Sequence, residues 1–323
     1  MAKAVEKSRA GFLAAHTGLG LGSNGLPMSV KQAVHDGDTV TVDPIGNIST
    51  RFLGMDTPEV SFSLPANPDA FPHIDSPQWA QFLTDPFAAG LPPFDPPLPP
   101  SLEADLRART GPDCAANHAR HAEAAHRALE GFIEKDRTDR GLDLADMRFF
   151  LAFAGDVFDR YGRFLTYINI EVAQHEPRPP TYNERMLAGG WALPYFIWPN
   201  INPFRKQSST VDAVPVPGQP ISDPSLNRAR QAVGAARAAR LGVFARQDPL
   251  ALMPSELRML ARTVGKGAAG FRPGPDRWVI DLGAADDTLL PPAHYHEVPL
   301  PEDRLFVPVE FVPLFVEKGW VKG

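Results

Sequence analysis

Six of the nine residues from Pro92 to Pro100 are proline. No helix interior and no central strand can run through such a stretch, because each proline lacks an amide hydrogen and fixes its own φ. The chain must break there. The full sequence holds 35 prolines, which predicts long irregular connections. Residues 61–113 therefore read as an irregular Pro-rich insertion, a surface excursion of polyproline character with one short helix over 75–83.

The remainder has ample material for a core. Of 323 residues, 43% are hydrophobic and 22% charged, which excludes a wholly disordered chain and suggests one large or two ordinary domains. The formal net charge is −6, so any polyanion must be met by a local positive patch. Cys114 is the single cysteine. It allows no intramolecular disulfide and fits a reducing compartment, so a cytoplasmic location is the expectation. No apolar run reaches the ~20 residues that cross a membrane, so no membrane partner is expected. Gly11 to Ala15 follow Lys3, Lys7 and Arg9 in the manner of a signal peptide, but His16 cuts the run short. The expected organisation is a flexible tail at 1–28, a main domain at 29–247 and a C-terminal extension or small subdomain at 248–323.

Hydrophobic patterning predicts a hairpin from a strand around Val40 and Val42, a turn at 43–47 and a second strand over 48–55. Helices are expected at 114–134, 182–189, 225–245 and 254–264, and strands at 148–158, 163–172 and 278–282. Arg228, Arg230, Arg237 and Arg240 stand on the 225–245 helix with no acid among them. They form either a solvated face or a phosphate-facing stripe.

Three clusters carry chemistry. Asp36-Gly37-Asp38-Thr39 enters the first strand of the expected hairpin, and Arg51 followed by Asp56-Thr57-Pro58-Glu59 leaves the second. The third is Asp159-Arg160-Tyr161-Gly162-Arg163. A hairpin brings its strand ends together, so Asp38 and Asp56 could share a hard cation such as Ca²⁺ or Mg²⁺ with a backbone carbonyl. Glu59, beyond a proline that fixes the path, could orient or deprotonate a water. Arg51 and Arg163 offer guanidinium forks matched to phosphate oxygens. Together these residues form a constellation for cleaving phosphodiesters.

In order and spacing, the three clusters resemble the signature blocks of the thermonuclease family, the staphylococcal nuclease-like proteins. Tyr182-Asn183-Glu184-Arg185-Met186-Leu187 with Gly190-Trp191-Ala192 resembles the helix and turn that follow in that family. The resemblance covers roughly 30–245, interrupted by extra sequence. It implies an α+β fold, a five-stranded OB-type β-barrel with packed helices. It implies Ca²⁺-dependent hydrolysis of DNA and/or RNA to 3′-phosphate ends, with Mg²⁺ or Mn²⁺ as substitutes. Carried over by position, Asp38 and Asp56 would bind Ca²⁺, with Thr57 contributing its backbone carbonyl and Asp36 supporting the site. Glu59 would position or activate the attacking water. Arg51 and Arg163 would clamp the phosphate, and Tyr161 would line the nucleotide pocket. Unpaired strands suit a groove carrying such an aromatic. The acidic charge, the 61–113 insertion and the 248–323 extension depart from the minimal family domain. They leave two alternatives: a non-catalytic nucleic-acid- or protein-binding module, and a nuclease gated by its insertion and extension.

Other groups read as structural. His118, His121, Glu123, His126 and Cys114 could form a metal set but fit a polar helix face better, and His294 to Glu297 is similar. Phe311, Phe315, Val316 and Trp320 are expected to pack the tail or to form a homo-oligomer surface. Gly18-Leu19-Gly20-Leu21-Gly22 lacks the lysine and following helix of a phosphate loop.

Overall fold

The computed structural model describes residues 3–7, 13–15, 17–34, 41–65, 67–173, 175–204, 210–265 and 269–323. The chain is mixed α+β. In chain order the first elements are β1 (Val5–Lys7), β2 (Leu13–Ala15), β3 (Thr17–Leu19), α1 (Val30–Ala33), β4 (Val42–Pro44) and β5 (Thr50–Phe52). Next come β6 (Gly54–Asp56), α2 (Pro77–Thr84), α3 (Pro100–Arg109), α4 (Cys114–Asp139), β7 (Phe149–Ala152), β8 (Phe164–Ile170), α5 (Tyr182–Ala188) and β9 (Leu193–Ile197). The chain closes with α6 (Pro224–Ala238), α7 (Pro254–Ala261), β10 (Arg277–Asp281), β11 (Thr288–Leu289), β12 (Arg304–Pro308), α8 (Val312–Glu317) and β13 (Val321–Lys322). Two compact units interleave along the sequence, one of 1–52 with 153–166 and one of 53–152 with 167–323.

In the first unit, β1 pairs with β2 and β3 with β4, both antiparallel, and β5 runs parallel to the start of β8. The expected hairpin between the strand at Val42 and the strand at Thr50 does not form. β4 instead takes Thr17–Leu19 as partner, from the stretch expected to be a flexible tail. Small residues permit this. Gly20 donates its amide to the Thr41 carbonyl at 3.0 Å, and a Cβ on Gly20 would lie 2.5 Å from the Thr41 methyl.

The second unit holds a mixed sheet in the order β10-β12-β9-β6. β12 runs parallel to β9 and antiparallel to β10, and β9 is antiparallel to β6. The C-terminal extension thus supplies two strands of the sheet that carries Asp56. No sheet among the described residues closes into a barrel.

Residues 61–113 are not a surface excursion. Leu64, Ile74, Trp79, Phe82, Leu83, Leu98, Leu102 and Leu106 lie in one core with Leu252, Leu257, Leu260, Val279 and Phe306. The prolines do not merely break the chain. α2, α3, α6 and α7 each begin at a proline, where the missing amide has no intrahelical acceptor and the fixed φ is already helical. The Ser76 hydroxyl caps α2, and the Asp223 carboxylate caps α6. Phe315 and Trp320 also turn inward. Phe315 meets Trp198 edge-on with ring centroids 5.0 Å apart, and the Trp320 indole donates to the Pro215 carbonyl at 2.8 Å. No helix among the described residues is long and apolar enough to cross a membrane.

Candidate functional site

The strand expected over 48–55 is split at Leu53, and Gly54 opens the second piece. This residue adopts φ +73°, a left-handed conformation that disfavours any side chain, and a Cβ there would lie 3.1 Å from the Tyr167 hydroxyl. The break places Arg51 on β5, paired with β8, and Asp56 on β6, paired with β9. Arg51 and Asp56 therefore belong to two strands of different sheets. Asn183 holds the backbone on the far side of the break. Its amide donates to the Leu53 carbonyl at 2.9 Å while its oxygen accepts the Ile168 amide at 3.0 Å.

In the first unit, Arg51 lies opposite Leu165 on the neighbouring strand, two residues beyond Arg163. The two arginines thus lie on, and just before, the two strands of one parallel pair. The Asp159–Arg163 turn is closed by its own first residue. The Asp159 amide donates to the Arg163 carbonyl at 3.0 Å, and Asp159 Oδ1 accepts the Tyr161 and Arg163 amides at 2.8 and 3.1 Å. Its Oδ2 accepts Arg163 Nε at 2.7 Å and Nη2 at 2.6 Å. Burial raises the Asp159 pKa, but the Arg163 amide and guanidinium with the Tyr161 amide hold it below the usual carboxylate value. Tyr161 is 51% exposed. The guanidinium carbons of Arg160 and Arg163 lie 4.9 and 5.4 Å from its ring centre.

In the second unit, Asp56 ends β6, Thr57 and buried Pro58 follow, and Glu59 is half-buried. Both acids converge on Arg258 of α7, about two hundred residues further on. Arg258 Nη1 donates to Asp56 Oδ1 at 3.0 Å and to Glu59 Oε1, and Nη2 donates to Asp56 Oδ2 at 2.7 Å. The Arg258 and Asp56 side chains are 13% and 5% exposed. Burial opposes the charge on Arg258, yet Asp56 and Glu59 hold its pKa above the ordinary arginine value. Behind the pair, the Glu59 amide donates to Nε2 of fully buried His118 at 2.8 Å. His118 is pushed down to about 3, chiefly by burial. Asp56 pulls it up, and Arg258 and His121 add to the depression.

The arginine on α7 is the residue that sequence reasoning missed. Nothing local marks it. Pro254-Ser255-Glu256-Leu257-Arg258 reads as an ordinary amphipathic helix start, and only the fold brings it to Asp56. A second buried cluster fixes α7. Arg109 donates to both Glu256 oxygens at 2.5 and 2.7 Å, and the Tyr295 hydroxyl and Met253 amide donate to Glu256 at 2.8 Å each.

Asp36 and Asp38, expected to support and bind the metal, lie outside the described residues. Among the described residues no group of three or more His, Cys, Asp or Glu side chains is arranged to hold a metal ion. The acids present do not fit Ca²⁺ in this arrangement. Ca²⁺ takes about 6–8 oxygen ligands, whereas both Asp56 oxygens and one of Glu59 already accept from a guanidinium whose charge would repel the ion.

The remaining candidates are structural. His121 Nε2 donates to the Asp248 carbonyl at 2.9 Å, and exposed His126 lies 3.4 Å from Glu130. Cys114 is buried, which pushes its thiol up to about 12. His294 pairs with Glu297 at 2.8 Å. Three of the four arginines expected on the 225–245 helix are paired with acids; Arg240 lies beyond the end of α6. Arg228 lies 3.4 Å from Glu184, Arg230 2.5 Å from Asp303 and Arg237 2.6 Å from Glu302. Their acids come from other elements, which is why the helix sequence alone seemed uncompensated. Comparison with protein-family models, curated proteins and solved structures finds no match to this chain.

Proposed function

We propose that this protein is a nuclease that hydrolyses phosphodiester bonds of DNA, RNA or both, leaving 3′-phosphate ends, with a site of thermonuclease type. The observation that carries the reading is the Asp159–Arg163 turn. Asp159 Oδ2 holds Arg163 through both Nε and Nη2, and a half-exposed Tyr161 lies beside the guanidinium groups of Arg160 and Arg163. Such a turn suits a nucleic-acid phosphate, because two guanidinium groups gather positive charge beside a half-exposed aromatic ring. Arg51, on the strand beside it, supports the same role. Asp56 and Glu59, in the second unit, are the acids that the resemblance assigns to the metal and to the attacking water, and both are held by Arg258. The requirement for Ca²⁺, or for Mg²⁺ or Mn²⁺ in its place, belongs to this proposal, as do the OB-type barrel and the preference for single strands.

One observation favours a second reading. With Arg258 lying across Asp56 and Glu59, the chain would be a nucleic-acid-binding module of nuclease type with an idle site. A cleavage assay separates the two. Matched single- and double-stranded DNA and RNA are incubated with Ca²⁺, Mg²⁺ or chelator, with Arg163→Ala beside the unaltered protein. Metal-dependent cutting that falls at least 100-fold in Arg163→Ala, with an unchanged circular-dichroism spectrum, supports the nuclease. Full activity in the variant contradicts it. Salt-dependent binding without cutting supports the idle module.

A further inference from the structure

We infer that Phe158 is a second base-stacking platform beside Tyr161, so that the turn over 157–163 grips an unpaired nucleotide strand through two aromatic rings rather than one. The inference deepens the nucleic-acid reading of this turn and rests on it, but Phe158 is not among the residues that the resemblance assigns.

The turn closes a short hairpin of the first unit. Phe158 and Phe164 face each other across it as an antiparallel bridge, and the Leu165 amide donates to the Val157 carbonyl at 2.9 Å. Bridged partners put their side chains on one face, and these two rings stack with centroids 4.9 Å apart and planes 29° apart. Phe153 meets Phe164 edge-on at 5.2 Å. Phe158 is thus the outermost of three rings, supported from one side, and it is 39% exposed. Val157 and Tyr161 are 44% and 51% exposed. A single exposed apolar side chain is ordinary. Here a phenylalanine and a tyrosine three residues apart both stand at the surface, on a backbone that the Asp159 carboxylate holds closed. Rings held in this way lose little freedom when a partner stacks on them. Charge decides the partner. Arg163 is compensated by Asp159. Arg160 has no acid partner among the described residues, and its Nη2 donates to the Tyr161 hydroxyl at 2.8 Å. An uncompensated guanidinium beside two exposed rings suits a polyanion that also carries flat π-faces. An unpaired nucleotide strand has both features, whereas a duplex keeps its bases stacked inside.

The test is binding of the full chain to labelled oligothymidylate and oligouridylate of about 10 nucleotides, in chelator so that no strand is cut. An abasic strand with the same number of phosphates is titrated beside them. The two oligomers tell DNA from RNA as the source of the strand. Phe158→Leu keeps an apolar side chain against Phe164 and removes the ring. It should weaken binding of a base-bearing strand by about 5-fold or more and leave the affinity for the abasic strand unchanged. Phe158→Tyr keeps a ring and should bind like the unaltered protein. Should Phe158→Leu not fold, Phe158→Trp carries the test: its larger ring should bind a base-bearing strand more tightly at unchanged abasic affinity. Equal affinity of the unaltered protein and the folded Leu or Trp variant for the base-bearing strands overturns the platform and leaves the nucleic-acid reading standing. An equal loss on base-bearing and abasic strands also overturns it, because stacking cannot act on a strand without bases. No binding of any strand by the unaltered protein overturns the nucleic-acid reading, and the platform falls with it.

Discussion

The backbone amide of Glu59 donates to Nε2 of His118 at 2.8 Å. The accepting nitrogen must be unprotonated, so the histidine is neutral in the fold and cannot take up a proton there without losing this bond. Burial enforces the same condition. α4 therefore fixes the main chain of Glu59 while α7 fixes its side chain.

The His118 arrangement makes stability depend on pH. The folded histidine has a pKa pushed down to about 3 from 6.5. Below 6.5 the unfolded chain takes the proton and the folded one does not, so stability is present above 6.5 and is lost as pH falls toward 3. Between pH 6.5 and 5 the loss should be about 1.5–2 kcal/mol. His118→Gln can still accept the Glu59 amide but does not titrate. Urea unfolding at a series of pH values should show the unaltered protein losing stability faster than this variant across that window. Parallel curves would contradict the assignment.

Trp79 is fully buried within the core shared by residues 61–113 and the C-terminal segment, and its ring meets Phe82 edge-on at 5.6 Å. Its indole donates to the Phe62 carbonyl at 3.3 Å. Trp79→Ala should cost about 3–5 kcal/mol in urea unfolding. A change of a few tenths, as at a surface loop, would show that this stretch is not core.

Gly54→Ala forces a side chain into φ +73° beside the Tyr167 hydroxyl. It should destabilise the protein by about 1–2 kcal/mol or more in the same unfolding measurement. A neutral result would mean that the break between β5 and β6 does not need this conformation.

The parts of this fold legible in the sequence are those governed by local rules. α2, α4, α5, α7, β8 and β10 follow from periodicity and from their proline, serine and threonine starts. The Asp159–Arg163 turn follows from its Asp and Gly. What depends on distant partners was not legible. β4 has the alternating pattern of a hairpin strand, yet β3 outcompetes the nearer Thr50 strand for its edge. Alternation predicts one strand from Ile48 to Met55, but the glycine inside it decides where the strand breaks. Proline runs suggested exclusion from the core, although their leucines and aromatics are buried and the prolines start helices. The acids of the candidate site were visible as a motif, while Arg258, which closes them, lies about two hundred residues away with no local signature.

Arg258 and Asp56 form one buried charge pair at the acids of the candidate site. The most direct measurement is a double-mutant cycle on unfolding free energy with Asp56→Asn, Arg258→Met and the combined variant. Each single change removes the two hydrogen bonds of a buried charge pair, leaving Arg258 to Glu59 alone in Asp56→Asn, and should cost about 3–5 kcal/mol. The double variant should be more stable than the sum of the two losses predicts, by on the order of 2–3 kcal/mol. Additive losses would show that the two residues do not interact and would contradict the account.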